Sequence, residues 1–265
     1  RTVSQMMREQ LDRFRYEILG TLGAAALFAW GMSYPIEDRF LGDAVAYMKA
    51  SMEIHDPLQA LFQINPFYPN AFPSFLALVR WVLTLFGPIT LGKFTLVVAV
   101  TLFLIHVASL TYFLRTSYAW IRERASLELW PSTKLLFYLY PGLILYTTVL
   151  LTDTLAADSL MLCFALGLRK RWLTAGLALG ACAWLRQAYL PLAAWFGAFA
   201  LVDGARNWKH MRQSAAPLVI GIVLVIAGPL FSCASSFGTV CLADARTVQA
   251  ASEEGRRAGL VTARV

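Results

Sequence analysis

Three places in the sequence put ionisable side chains beside long apolar stretches. The first is an acidic loop, residues 35–70, which holds Glu37, Asp38, Asp43, Glu53 and Asp56. The other two are the pairs Thr152-Asp153 and Arg186-Gln187. A carboxylate can act as a general base toward a hydroxyl group, and an arginine presents a fixed fork of donors that suits a phosphate or pyrophosphate. These residue types indicate chemistry at a bilayer surface.

Asp43 opens the pattern Asp-x-x-x-Tyr in GDAVAYMKAS, and the spacing predicts that Asp43, Tyr47 and Ala50 share one face of a helix. In one interpretation the carboxylate only stabilises the first turn of that helix. In the other it is a general base that removes the proton of an acceptor hydroxyl, a contribution of typically about 10²- to 10⁴-fold. We count Tyr47 and His55, in the same loop, as candidate substrate-binding residues.

Two carboxylates lie in the motif LTDTLAADS between two apolar runs. Asp153 is a candidate catalytic residue, although Thr152-Asp153 also suits a helix N-cap. Asp158 lies about one and a half turns further into the apolar segment, where a carboxylate usually faces a partner or a cavity. Two acids beside a water-filled site also suit a divalent cation, so a metal cofactor stays open.

Arg186 follows the apolar run AGLALGACAWL and precedes Gln187. Its guanidinium suits the phosphate of a substrate, with Gln187 and Asp158 as further candidate binding residues. The alternative is an arginine that extends from a helix end to lipid head groups.

The composition predicts an integral membrane protein, because 58% of the residues are hydrophobic and only 15% are charged. A formal charge of +7 is compatible with nucleic-acid binding, but the cations lie in short clusters between apolar runs. Anionic lipid head groups are therefore the expected partner, and nucleic acid is disfavoured. Scattered histidines without zinc-site spacing and the lack of a Gly-rich phosphate loop disfavour zinc and nucleotide chemistry.

The apolar pattern predicts an all-α polytopic protein with about seven transmembrane helices. The predicted spans are 16–34, 91–114, 135–151, 154–168, 172–185, 188–202 and 215–233. The segment 71–88 carries Arg80 between Pro-containing breaks, so we expect it to be interfacial or re-entrant; the alternative is a full span with a buried arginine. The basic clusters then lie in the cytoplasm, and all three polar places lie on the extracytoplasmic side.

These residues resemble the GT-C superfamily, the polytopic glycosyltransferases that use polyprenyl-phosphate or dolichyl-phosphate sugars. The resemblance is carried by Asp-x-x-x-Tyr after the first span, NPFYPNAFPSF, LTDTLAADS and the later Arg-Gln. YPGLILYTTVLLTDTL with WLRQAYLPL is similar to the dolichyl-phosphate-glucose alpha-1,2-glucosyltransferases. The aminoarabinose and protein mannosyltransferases share a looser version. Ala44 follows Asp43 where many members have a second acid, which weakens the inference of a metal.

The resemblance implies inverting sugar transfer from a polyprenyl-phosphate carrier to a glycan, lipid or protein acceptor on the extracytoplasmic face. It assigns Asp43 and Asp153 as the catalytic acids and Arg186 to the donor phosphate. Residues 1–235 would form one GT-C-like module whose first loop carries amphipathic interfacial helices, and 236–265 a polar tail. The alternative is a catalytically inactive homologue that serves as a subunit of a larger membrane complex. Because no Asn-x-Ser/Thr sequon is present, a bacterial plasma membrane is favoured over the endoplasmic reticulum.

Overall fold

The computed structural model describes residues 3–36, 43–56, 71–125, 131–186 and 208–237, with a few isolated residues from 189 to 198. Throughout these ranges the regular structure is helical, which confirms the all-α expectation for them. The helices are α1 (Val3–Met32), α2 (Asp43–Met52), α3 (Ala71–Thr84), α4 (Leu91–Ala125), α5 (Lys134–Tyr138), α6 (Pro141–Thr148), α7 (Thr152–Leu168), α8 (Trp172–Leu185) and α9 (Trp208–Phe237).

The predicted apolar segments become helices with one interruption. Helix α8 begins and ends at the predicted residues, whereas the predicted span 135–151 divides into α5 and α6. Pro141 causes the division, because its ring disfavours helical geometry at the preceding residue. Tyr140 accordingly has extended backbone angles, φ −68° and ψ 105°. The predicted span 188–202 lies outside the continuously described ranges. Of the predicted tail 236–265, the first two residues belong to α9 and 238–265 lie outside the described part.

Helix α4 contains the segment Leu91–Arg124, which at 34 residues is the one described helix both long and apolar enough to cross a bilayer. Several other helices direct large apolar side chains outward. Leu22 of α1, Leu104 of α4 and Leu224 of α9 are each at least 60% exposed. Exposed apolar surface on this scale is typical of proteins that contact a membrane or a partner.

Side-chain contacts fix the direction of the helices around α4. Glu17 of α1 pairs with Arg115, and Phe28 stacks on Phe103 with ring centroids 4.6 Å apart, so α1 runs antiparallel to α4. On α7, Asp158 pairs with His106 and Arg169, just past the helix, lies over the ring of Tyr112. Because the contacting residue numbers increase together along both helices, α7 runs parallel to α4.

Helices α8 and α9 pack closely and run in the same direction. A Cβ added to Gly176 would collide with the carbonyl oxygen of Leu218, and one on Gly180 would lie 3.0 Å from the carbonyl oxygen of Ile222. Gly221 faces α8 with a similarly short approach to Leu173. Small residues at four-residue spacing permit this backbone approach, as in helix pairs within membranes.

Replacing Gly176 by alanine should destabilise the protein, because the new methyl group has to displace the backbone of α9. We expect the free energy of unfolding to fall by about 1–3 kcal/mol, as for other overpacked sites. Denaturation of the purified protein in detergent measures this change.

Gly92→Ala is the matched control, since a Cβ at Gly92 meets nothing within 4 Å. It should leave stability unchanged or raise it by about 0.5–1 kcal/mol. Equal stability of the two alanine variants would contradict the close α8–α9 contact.

Candidate functional site

Asp153 and Arg186 form an ion pair between the start of α7 and the end of α8, through Oδ1 and Nη1. Their side chains remain 34% and 45% exposed, so the pair lies at the surface of this end of the helices. Arg186 has extended backbone angles, φ −151° and ψ 107°, and so ends α8. Two of the three polar places singled out in the sequence therefore meet in space.

Asp153 is not the N-cap of its helix. Leu151 occupies the N-cap position and no side chain caps the helix, while Thr152 and Asp153 are the first two helical residues. The carboxylate instead lies in the first turn, where the helix dipole favours negative charge. Its ion-pair partner is the guanidinium of Arg186, the residue that follows α8.

The turn before α7 is conformationally strained. Leu150 has φ 55°, in the left-handed region, yet it is only 2% exposed and packs in the core. A residue with a Cβ in this region costs roughly 1–2 kcal/mol, and such strain persists only where the surroundings enforce it. The buried side chain thereby fixes where α7 begins and how Asp153 is presented.

Asp43 is the first residue of α2 and its side chain is exposed. The residues beside it face inward: Ala44 and Tyr47 belong to the same buried cluster as Leu155 of α7 and Leu185 of α8. Helix α2 therefore lies at the end of the molecule that carries Asp153 and Arg186. The prediction that Asp43, Tyr47 and Ala50 share one helix face is confirmed only in part. Tyr47 and Ala50 are buried, whereas Asp43 is exposed.

Tyr47 packs edge to face on Phe72 of α3, with ring centroids 5.4 Å apart. Arg80 of α3 holds the other end of α2 by donating from Nη2 to the carbonyl oxygen of Ile54 at 2.7 Å and from Nη1 to that of Met52 at 3.5 Å. A cation at a helix C-terminus satisfies carbonyl groups that have no partner within the helix. His55, the residue after Ile54, is exposed.

This contact explains the arginine in the otherwise apolar segment 71–88. Helix α3 has 14 residues, about 21 Å at 1.5 Å per residue, which is short for a span. Arg80 is half-buried against backbone carbonyls of α2. The expectation of an interfacial or re-entrant segment stays a prediction, and its length agrees with it.

Asp158 is buried between α7 and α4, away from the exposed ion pair. Its Oδ1 lies 2.7 Å from Nδ1 of His106, and the two side chains are 2% and 1% exposed. The expectation that Asp158 faces a partner agrees with this contact. His106 was not among the sequence candidates, although an ionisable residue in the middle of the apolar run LFLIHVASL is the signal that marks it.

The two acids of α7 do not converge on one cation. Asp153 faces Arg186 and Asp158 faces His106, so each carboxylate has its own cationic or hydrogen-bonding partner. In the part of the chain that the structure describes, no three His, Cys, Asp or Glu side chains gather as metal ligands. Glu37, Asp38 and Gln187 lie outside that part, so the metal question stays with the sequence.

Comparison with protein-family models, with curated proteins and with solved structures found no match to this chain. Its function is therefore inferred from the residues and geometry of the chain itself.

Proposed function

We propose that this protein is a membrane glycosyltransferase that moves a sugar from a polyprenyl-phosphate carrier to an acceptor hydroxyl. The exposed Asp153–Arg186 pair, at the helix end that also carries Asp43, is the observation that supports this proposal most. It unites a cation suited to a phosphate with carboxylates suited to a hydroxyl group. The sequence resemblance to the GT-C superfamily adds to it.

In this proposal Arg186 binds the phosphate of the lipid carrier. The ion pair with Asp153 uses Nη1, and a guanidinium has five N–H donors in all. A phosphate can therefore approach a second edge of the fork while Asp153 holds the first. Asp153 then acts mainly by orienting Arg186, which lowers the cost of organising the site.

Asp43 serves as the general base. It takes the proton of the acceptor hydroxyl as the oxygen attacks the anomeric carbon, and the bond from that carbon to the phosphate oxygen breaks. The electron pair leaves on the lipid phosphate, whose growing charge Arg186 offsets. Attack opposite the leaving group inverts the anomeric carbon.

The membrane topology proposed here has about seven spans with the catalytic end outside the cytoplasm. One support is that α1 runs antiparallel to α4 whereas α7 runs parallel to it. The other is the distribution of charge along the helices. At the end opposite Asp153, Glu17 accepts hydrogen bonds from Nε of Arg115 at 2.8 Å and from Nζ of Lys134 at 2.9 Å. Arg122, Arg124 and the run 169–171 lie toward the same end, as the positive-inside rule requires of a cytoplasmic face. A bacterial plasma membrane is the proposed location.

Loss of the Asp43 carboxylate should abolish most of the transfer. Asp43→Asn keeps the shape of the side chain but removes the base, so turnover should fall by about 10²- to 10⁴-fold. The measurement is transfer of a radiolabelled hexose by purified protein in lipid. It uses a panel of polyprenyl-phosphate hexoses with extracted lipid, glycan and protein acceptors.

Glu53→Gln provides the control, because Glu53 is an exposed carboxylate just past the other end of the same helix. It should keep near-normal turnover. If Asp43→Asn transfers as well as Glu53→Gln, the base is wrongly assigned. If correctly folded wild-type protein transfers from no donor to any acceptor, the alternative of an inactive subunit replaces the transferase.

The topology predicts opposite accessibility for the ends of α2 and α4. In a variant whose four native cysteines are replaced by alanine, Glu53→Cys should react with a membrane-impermeant maleimide in intact cells. Arg122→Cys should react only after the membrane is permeabilised. Both original side chains are exposed, so access to the reagent depends on the side of the membrane. Labelling of both cysteines in intact cells would contradict the orientation.

A further inference from the structure

Several buried polar atoms of α4 and α7 lack hydrogen-bond partners in the part of the chain that the structure describes. Besides the His106–Asp158 contact, Nε2 of His106, Oδ2 of Asp158 and Oγ1 of Thr154 are buried with no partner in the part of the chain described. Thr154 and Asp158 are four residues apart and therefore share one face of α7. Thr154 itself is 0% exposed.

Such atoms are rarely left unsatisfied in folded proteins, because each has given up its hydrogen bonds to water. Buried water molecules commonly resolve this situation by bonding to two to four polar groups. A metal ion is a poorer fit, since the described residues offer no cluster of three ligand side chains. Nδ1 of His106 is also already bonded to Asp158.

We propose that the interface between α4 and α7 contains a water-binding site formed by His106, Thr154 and Asp158. Ordered water there donates to Oδ2 of Asp158 and exchanges hydrogen bonds with Oγ1 of Thr154, and a further water on the opposite edge of the imidazole bonds to Nε2 of His106. The site keeps the buried Asp–His pair solvated inside an otherwise apolar interface. It also links α7 to α4 immediately below the exposed end of the helix.

The site lies close to the polar end of α7. Thr154 directly follows Asp153, which is 34% exposed and lies in the first turn. The threonine is thus the uppermost member of the group, and Asp158 lies one turn deeper. The hydrated site is independent of whether the protein transfers sugars.

Thr154→Val tests the site by the sign of the stability change, because valine has nearly the shape of threonine but no hydroxyl. If water is bound, the variant loses a hydrogen bond and leaves that water under-coordinated. Its Tm in detergent should then fall by about 2–4 °C. If the interface is dry, the variant removes an unsatisfied polar atom and its Tm should rise.

Thr116→Val is the matched control. Thr116 is also buried, at 3% exposure, and its Oγ1 also has no partner, but the other unpartnered polar atom of α4, on His106, is ten residues away. A water at Thr116 would therefore lack the two to four polar partners that buried water needs. Its replacement should leave Tm unchanged or raise it. A Tm of Thr154→Val at or above that of the wild type overturns the proposal.

A second measurement detects the water directly. X-ray radiolysis generates hydroxyl radicals from bound water, and these oxidise the side chains beside it. His106 should be oxidised several-fold faster than Phe103, although their residue exposures are 1% and 9%. Oxidation should also slow in Thr154→Val. Oxidation of His106 no faster than that of Phe103 contradicts the site, whatever the Tm.

Discussion

A charge placed within an assembly of apolar helices needs a counter-charge or hydrogen-bonding partner from another helix, because an isolated one is too costly to bury. Two buried carboxylates meet this requirement here, and a third, exposed one is also paired. Glu17 of α1 pairs with Arg115 and Lys134, Asp158 of α7 with His106, and Asp153 of α7 with Arg186. Each pair joins different elements, and together they fix how α1, α4, α7 and α8 lie against one another. The two buried carboxylates, Glu17 and Asp158, add little net stability through their pairs, but removing a partner would leave a buried charge uncompensated. The exposed Asp153–Arg186 pair contributes less.

The pairing also separates a buried group from an accessible one on a single helix. Asp158 is withdrawn into the α4–α7 interface, whereas Asp153 remains at the surface with Arg186. Strain at Leu150 and the packing of α2 on the same buried cluster then fix the surroundings of the exposed pair. An apolar scaffold thus carries a few charges at one end. This arrangement is what the proposed site for a lipid-borne phosphate beside an acceptor in water requires.

The sequence predicted the helices better than their lateral contacts. The bounds of α8 were predicted to the residue, because Arg171 and Arg186 delimit an uninterrupted apolar run. The break before Pro141 was missed, since apolar composition continues through it. Charge bias predicts that Asp153 and Arg186 lie on one side of the membrane, but it does not predict that they pair. Nor did it identify His106 as the partner of Asp158. In helices that are apolar on all faces, periodicity does not indicate which face meets which neighbour, so such pairs appear only once the helices are assembled.

Binding of a polyprenyl phosphate to the purified protein tests the central claim, that the Asp153–Arg186 end receives a lipid-linked phosphate. Native mass spectrometry from lipid nanodiscs would compare the wild type with Arg186→Gln and with Arg122→Gln, an exposed arginine of the opposite end. The account predicts a bound polyprenyl phosphate on the wild type and on Arg122→Gln, and its loss from Arg186→Gln. Equal occupancy in all three proteins, or none in the wild type, would contradict it.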